Sequence, residues 1–496
     1  MPNDSATASY IISDLQRRVT SAEIEGNGEE LLKILRQRNI SRLALLANNS
    51  IEWAMVDLAC LKAGLCILPL PIFFSKTQRK HAINSCAVDA IITDDPELIE
   101  TEFSVETLAL SFLGDGKFSL CVFNAFSNKA LIPSGTGKIT FTSGSTGQPK
   151  GVCLSNDQLG IQAEALAELV AIDLPRHLCL LPLSTLLENV AGVYSPICAG
   201  GEVIIPRQEE LGFSGSSLQN PEKLLSVIQQ LRPDSLILIP QLLLFLLSAA
   251  EKGWQIPDSL KFVAVGGSKV SKDLIVKAKQ KGLPVYEGYG LSECASVVSL
   301  NTPSQDKPGS CGKPLRHFDV SFDNGEVMLA GNVMLGYVNE PESWKPEKIA
   351  TGDLGCLDAE GFLHINGRKK NLLISTYGRN ISPEWIESEL LMNPALSEVV
   401  VLGDAKPYCA ALISVRSIQT LDCEIQQWID RVNSGLPDYA RVKKWRRLDQ
   451  ALQSNSNLMT ENGRPRRENI NRAFSDVIDQ LYEATTLELD NADFAA

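Results

Sequence analysis

The sequence predicts an α/β fold: a large N-terminal domain of doubly wound βαβ sheets with a small β-barrel subdomain, followed by a small α+β C-terminal domain. Three observations carry this. Short apolar runs alternate with helical patterns in the early chain, as in parallel sheets covered by helices. Between Phe318 and Ile365 the pattern changes to short strands separated by Gly, Asn and Asp turns. Finally, 496 residues exceed what one hydrophobic core organises, so at least two domains are required.

The elements follow in order. Leu43–Leu46 reads as a strand, and Asn49-Ser50 can cap the helix after it. There Ile51, Ala54, Met55, Leu58 and Ala59 share one face, and Gly64 suits the C-terminal stop. Leu65–Leu68 reads as the next strand, stopped by Pro69, and Ala90–Ile92 as another. Further on, Leu236–Ile239 is a buried strand, with Pro240 opening a helix at its first turn. The domain boundaries expected are 1–366 for the large domain, with its β-rich part at about 318–366. The small domain is expected at 367–487, and an acidic, frayed tail at 488–496.

A hydrophobic content of 44% and a charged content of 21% describe an ordinary globular protein. The net charge of −13 argues against nucleic acid or anionic lipid as a partner, because both demand a positive surface. Lys443 to Arg447 and Arg464 to Arg467 are local exceptions, and the first suits a phosphorylated ligand. Twelve scattered cysteines without a C-x-x-C pair exclude a zinc pattern and suit reduced thiols in the cytoplasm. No export signal is visible at Met1 to Ser5. The most apolar segment, Ser235 to Ala250, is too short to span a bilayer, so no integral membrane association is expected.

Chemistry concentrates in a few segments. From Thr142 to Gly147 the chain is Thr142, Ser143, Gly144, Ser145, Thr146 and Gly147, followed by Pro149 and Lys150. Such a loop uncovers backbone N–H groups, adds hydroxyl donors and closes over phosphate oxygens. Strand-like Ile139–Phe141 and Val152–Leu154 flank it, making a phosphate-gripping hairpin. It is not a Walker loop, and the nearby Gly135 to Ile139 stretch lacks the hydroxyl that one needs. Glu287, Gly288, Tyr289, Gly290, Ser292 and Glu293 form a second segment. Its tyrosine ring can stack on adenine, Gly290 permits close backbone approach, and Ser292 offers a hydroxyl to phosphate. Glu293 supplies a hard oxygen for Mg²⁺. In Thr351-Gly352-Asp353 a carboxylate on a tight turn can accept hydrogen bonds from two vicinal ribose hydroxyls.

These segments, with Val265 to Lys269 and Gly367 to Glu387, resemble in kind and order the acyl-adenylate-forming (AMP-binding) enzymes. The resemblance runs roughly from Ile40 to Arg467. Glu188, Gly367 to Asn371 and Asn380 to Pro383 look closest to long-chain acyl-CoA synthetase-like members. The resemblance implies attack of a carboxylate on the α-phosphate of ATP, giving acyl-AMP and pyrophosphate, then displacement of AMP by the thiol of coenzyme A. It implies ATP, Mg²⁺ and coenzyme A as cofactors, and a medium- or long-chain fatty or other apolar acid as substrate. Lys150, Glu293, Arg368 and Arg464 are the implied catalytic groups. Gly266, Gly267 and Ser268 would line the adenine and acyl pocket, Arg368 would contact ribose and phosphate, and Gly378 would let the pantetheine arm pass. Lys370 would be the hinge of a mobile small domain that serves both half-reactions.

Two departures stand out. The family's C-terminal lysine is replaced by Arg464, whose planar fork is not equivalent to a compact ammonium. At the edge of the acyl pocket, Ser184 and Thr185 stand where many members carry an aromatic residue or histidine. Three readings stay open: a CoA ligase, an acyl-AMP ligase delivering to a carrier protein or an amine, and a nucleotide-binding protein with impaired catalysis.

Overall fold

In the computed structural model the described residues are 9–124, 129–142, 149–214, 217–377, 379–455, 457–459 and 464–489. Two large sheets dominate. The nine-stranded sheet is parallel from Val285–Leu291 through Phe262–Val265, Ser235–Leu238, Arg176–Leu178 and Glu202–Ile204 to Ile11–Ser13. Antiparallel strands close both of its edges. The eight-stranded sheet has a parallel centre at Lys138–Thr142, Cys66–Pro69, Arg42–Leu46 and Ala90–Thr93. Pro69 therefore lies inside its strand, paired in register with Leu45, rather than after it.

Local rules account for many boundaries. The Ser50 hydroxyl accepts the Trp53 N–H at 3.1 Å and opens the helix Ile51–Ala63, which Gly64 ends at φ 67°. The apolar face read from sequence is only part of what this helix buries, because every residue from Ile51 to Leu61 is buried. A sheet lies on one side of it and the helix Ser21–Gln37 on the other. A Cβ at Gly28 would stand 3.2 Å from the Ala59 Cβ, so the two helices approach backbone to backbone. Pro240 occupies the first turn of the helix Pro240–Glu251, where its missing N–H costs nothing.

The β-rich region takes the form of a four-stranded antiparallel sheet, Phe318–Asp323, Glu326–Gly331, Lys348–Leu357 and Leu363–Arg368. Beyond it lies a three-stranded sheet, Leu396–Leu402, Cys409–Val415 and Val442–Arg447. Helices Pro383–Leu390 and Asp422–Gly435 contribute to its core through Ile386, Leu390, Ile425 and Ile429. Among the described residues no helix is long and apolar enough to cross a membrane.

Lys138, part of the Walker-like stretch, is a structural lysine. It is 1% exposed and its ammonium donates to the Asp57 carboxylate and the Tyr194 hydroxyl, each at 2.7 Å, and also to the Asn189 side chain. Tyr194 and Asn189 in turn donate to the second Asp57 oxygen at 2.6 and 2.8 Å. Burial lowers the Lys138 pKa and Asp57 opposes that shift. Removing one partner of such a pair leaves an uncompensated charge in the core. Asp57→Ala should therefore lose about 3–5 kcal/mol of stability, read as a fall in the urea midpoint.

Candidate active site

A cavity of about 1880 Å³ opens where the C-terminal ends of the parallel strands meet the four-stranded sheet and the C-terminal unit. It exceeds the 300–1,000 Å³ of a typical small-ligand pocket and has room for a nucleotide and a second substrate together. The phosphate hairpin stands at its wall: Lys138–Thr142 runs antiparallel to Lys150–Leu154, with Thr142 opposite Lys150. Thr142 lines the cavity. Ser143, Gly144, Ser145, Thr146 and Gly147 lie outside the described residues, as does Gly378. The His81 ring donates to the Pro149 carbonyl at 3.1 Å and ties down the hairpin's return. The Lys150 ammonium is 2.8 Å from the Glu340 carboxylate and 4.8 Å from the centre of the Tyr337 ring.

Gly266, Gly267 and Ser268 follow the end of the strand Phe262–Val265 and line the cavity, Gly267 at φ +85°. Glu287, Gly288, Tyr289, Gly290, Ser292 and Glu293 line it from the next strand and the turn after it. Only glycine fits at 290, because a Cβ there would lie 1.7 Å from the Ser296 carbonyl oxygen. The Tyr289 hydroxyl donates to Asp353 at 2.7 Å, and Arg368 meets the other Asp353 oxygen at 2.9 Å. Burial raises the Asp353 pKa while Arg368 and Tyr289 hold it down. Each carboxylate oxygen keeps a further lone pair, so Asp353 can still accept from ribose hydroxyls.

Glu293 accepts the Tyr337 hydroxyl at 2.9 Å and lines the cavity beside Ser292. One half-exposed carboxylate next to a phosphate loop fits Mg²⁺, which takes few protein ligands and completes its shell with phosphate oxygens and water. Arg464 reaches across the cavity and donates to the Gly267 carbonyl. The residue keeps some exposure, yet desolvation, then the like charge of Arg368, lowers its pKa. Lys370 is exposed at the rim, its pKa lowered by partial desolvation and by Arg368.

Sequence reasoning passed over several groups. Glu340 and Tyr337 contact Lys150, and Gly336-Tyr337 carried only a turn signal. Lys269 donates to the Ile365 carbonyl at 2.8 Å and lowers the pKa of the buried Glu287 carboxyl. Glu384 sits near Arg464 and accepts from the Asn371 amide at 2.7 Å.

The cavity is also lined by Ser184, Thr185, Leu186, Phe213, Phe245 and Phe262, among others. Thr185 turns its hydroxyl back to the Pro182 carbonyl at 2.7 Å, which leaves a largely apolar wall. Glu188 is fully buried: it accepts the Leu181 N–H at 2.9 Å and meets the His177 ring at 2.9 Å. It therefore braces the segment from behind. The basic segments are also partly spent inside the protein. The Arg467 Nη2 donates to both Glu387 carboxylate oxygens at 2.7 and 2.8 Å, and Arg447 meets Asp422 and the Thr420 and Ile418 carbonyls. Lys443 and Arg446 of the first segment stay exposed.

The comparisons with known proteins agree with this geometry. Residues 3–338 match the family model described as AMP-binding enzyme, and residues 370–486 match the AMP-binding enzyme C-terminal domain. The chain is 28% identical over 408 residues to the 2-succinylbenzoate–CoA ligase of Bacillus subtilis strain 168, covering 78% of this chain and 80% of that one. It is 38% identical over 156 residues to the long-chain-fatty-acid–CoA ligase FadD15 of Mycobacterium bovis, covering 30% of this chain and 26% of that one. The O-succinylbenzoate coenzyme A synthetase (MenE) from Bacillus subtilis, in complex with ATP and magnesium ion, superposes with a TM-score of 0.72. That likeness is at 25% identity and covers 89% of this chain and 93% of that one. The chain belongs to the AMP-binding enzyme family and is an enzyme of the AMP-forming acid–CoA ligase type.

Glu287 has a pKa pushed up to about 7 by burial, against an ordinary 4.5, with Lys269 and the Cys311 thiol opposing the shift. The native state thus keeps a proton that the unfolded chain releases above about 4.5. The resulting stabilisation is complete below that pH and is lost as pH rises to about 7. The loss is on the order of 3 kcal/mol. Glu287→Gln should lack it, seen as a flatter urea midpoint between pH 5 and 8.

Proposed function

We propose that this member of the AMP-binding enzyme family joins a small apolar carboxylic acid to coenzyme A through an acyl-AMP intermediate. The observation that carries the reading is the convergence of Thr142, Glu293, Asp353, Arg368 and Arg464 on one cavity. In the first step a carboxylate oxygen bonds to the α-phosphorus of ATP, and the bond to the bridging oxygen of pyrophosphate breaks. In the second, the coenzyme A sulfur bonds to the acyl carbon, AMP leaves, and the thiol proton passes to solvent.

Each residue has a task in this scheme. Asp353, oriented by Tyr289 and Arg368, accepts the ribose hydroxyls and fixes the nucleoside. The loop through Gly147 and the Lys150 ammonium neutralise the phosphates. Glu293 holds Mg²⁺, which when bound screens phosphate charge. Arg464, anchored on Gly267, bridges the entering carboxylate and the α-phosphate. These groups act by positioning and charge stabilisation rather than by covalent chemistry. Lys370 is the hinge about which residues 367–487 turn, away from 1–366, to admit the thiol; Gly378 would flank the pantetheine arm.

An aromatic acid is the favoured substrate. The similarity that covers 78% of the chain is to an aryl-acid ligase, whereas that to a fatty-acid ligase covers 30%. Phe213 and Phe245, both only partly buried, are aromatic residues of the cavity lining. A medium- or long-chain fatty acid is the second reading, supported by the apolar lining and the size of the cavity. The deciding experiment measures pyrophosphate release with ATP, Mg²⁺ and a panel of aryl and alkyl acids, with and without coenzyme A. Aryl acids should lead in kcat/KM. Pyrophosphate without thioester would move the acceptor to a carrier protein or an amine.

Two substitutions test the roles. Lys150→Met should lower kcat/KM for ATP by roughly 10²–10³-fold, the usual cost of one preorganised charge donor. Arg464→Lys should speed adenylation while thioester formation from supplied acyl-AMP changes little. Equal slowing of both steps would remove Arg464 from the adenylation site.

A further inference from the structure

Lys150 closes the phosphate hairpin, yet it is absent from the cavity wall that Thr142, its partner across the hairpin, helps to form. Its ammonium points instead to Glu340, 2.8 Å away, with the Tyr337 ring beneath it. The segment that supplies both groups is firmly held. Strand Gly336–Tyr337 pairs with the hairpin's return strand, Tyr337 opposite Val152 and Gly336 opposite Cys153. The Met334 N–H donates to the Glu293 carbonyl at 2.7 Å, and the Trp344 indole donates to the Tyr337 carbonyl at 2.9 Å. The Tyr337 hydroxyl donates to the Glu293 carboxylate at 2.9 Å, so one side chain touches both the hairpin's cation and the carboxylate proposed to hold Mg²⁺.

Resting on the reading of Lys150 as a phosphate-binding cation, we infer that Glu340 is a positioning residue that parks Lys150 outside the cavity until a nucleotide displaces it. Tyr337 keeps the parked ammonium beside the site and fixes Glu293 at the same time. The energetics suit an exchange. Lys150 and Glu340 keep 45% and 32% of their side-chain exposure, and exposed pairs of this kind are weak. A triphosphate, with several charged oxygens within reach of the same ammonium, out-competes a single half-solvated carboxylate. Parking then lowers affinity for ATP only modestly, by about five-fold at most. In exchange, it keeps an unpaired cation from collapsing onto Glu293 or Asp353 while the site is empty.

The test is a thermodynamic cycle on the full chain, measured by calorimetric titration of ATP in the presence of Mg²⁺. Glu340→Gln should tighten ATP binding by about two- to five-fold. Lys150→Met should weaken it, and the double variant should bind no better than Lys150→Met alone. A gain from Glu340→Gln that persists without Lys150 would overturn the inference, because Glu340 would then only repel phosphate. No gain in the single variant would also overturn it. Lys150→Met binding ATP as the wild type does would instead refute the phosphate role of Lys150 itself, whatever Glu340 does.

Discussion

The site is organised by the need to hold positive charge ready for a triphosphate while balancing that charge with nearby carboxylates. Several cations in and beside the cavity lie close to a carboxylate of another segment. Arg368 faces Asp353, Lys369 meets Glu326 at 2.8 Å, Lys269 lies near Glu287, and Lys150 meets Glu340. Asp353 and Arg368 stand opposite each other on adjacent strands, whereas Lys150 and Glu340 are 190 residues apart in the chain. Removing the carboxylates would leave like charges, Arg368 and Arg464 above all, facing each other at reduced dielectric. The pairing thus keeps the empty site folded, and its modest strength lets substrate phosphates replace it.

Much of the local structure was legible in the sequence, because it follows from short-range rules. Ser50 and Gly64 bounded a helix, Pro240 opened another, and the Ile139–Phe141 and Val152–Leu154 strands formed the hairpin foreseen for them. Of the motif residues, Thr142, Gly266, Tyr289, Glu293, Asp353, Arg368 and Arg464 share one cavity, whereas Lys150 lies off its wall and residues 143–147 are outside the described ones. What stayed hidden depends on partners far along the chain. Lys150 and Glu340 are 190 residues apart, and Lys138 and Asp57 are 81 apart. A lysine on a strand gives no local sign of being buried, since its cost is met by Asp57, Tyr194 and Asn189 from elsewhere. The same holds for Arg467, which resembled surface charge in a basic run and is instead tied through one guanidinium nitrogen to both Glu387 oxygens.

The replacement of lysine by arginine at position 464 acquires a physical meaning from its surroundings. A lysine ammonium in this place would be a point charge, free to turn toward whichever anion is nearest. The guanidinium has five donors in a fixed plane, and one of them is already committed to the Gly267 carbonyl. That anchor lies on the strand end next to the acyl wall, while Asp353 and Glu384 supply compensating charge nearby. The protein therefore helps to set the plane of the guanidinium. In the role proposed for Arg464, such a cation gains in orientation what it loses in compactness, because a planar fork held at one corner is less free to move than an ammonium. The strand ends thus set where the positive charge stands, and the residue at 464 sets how far that charge can move.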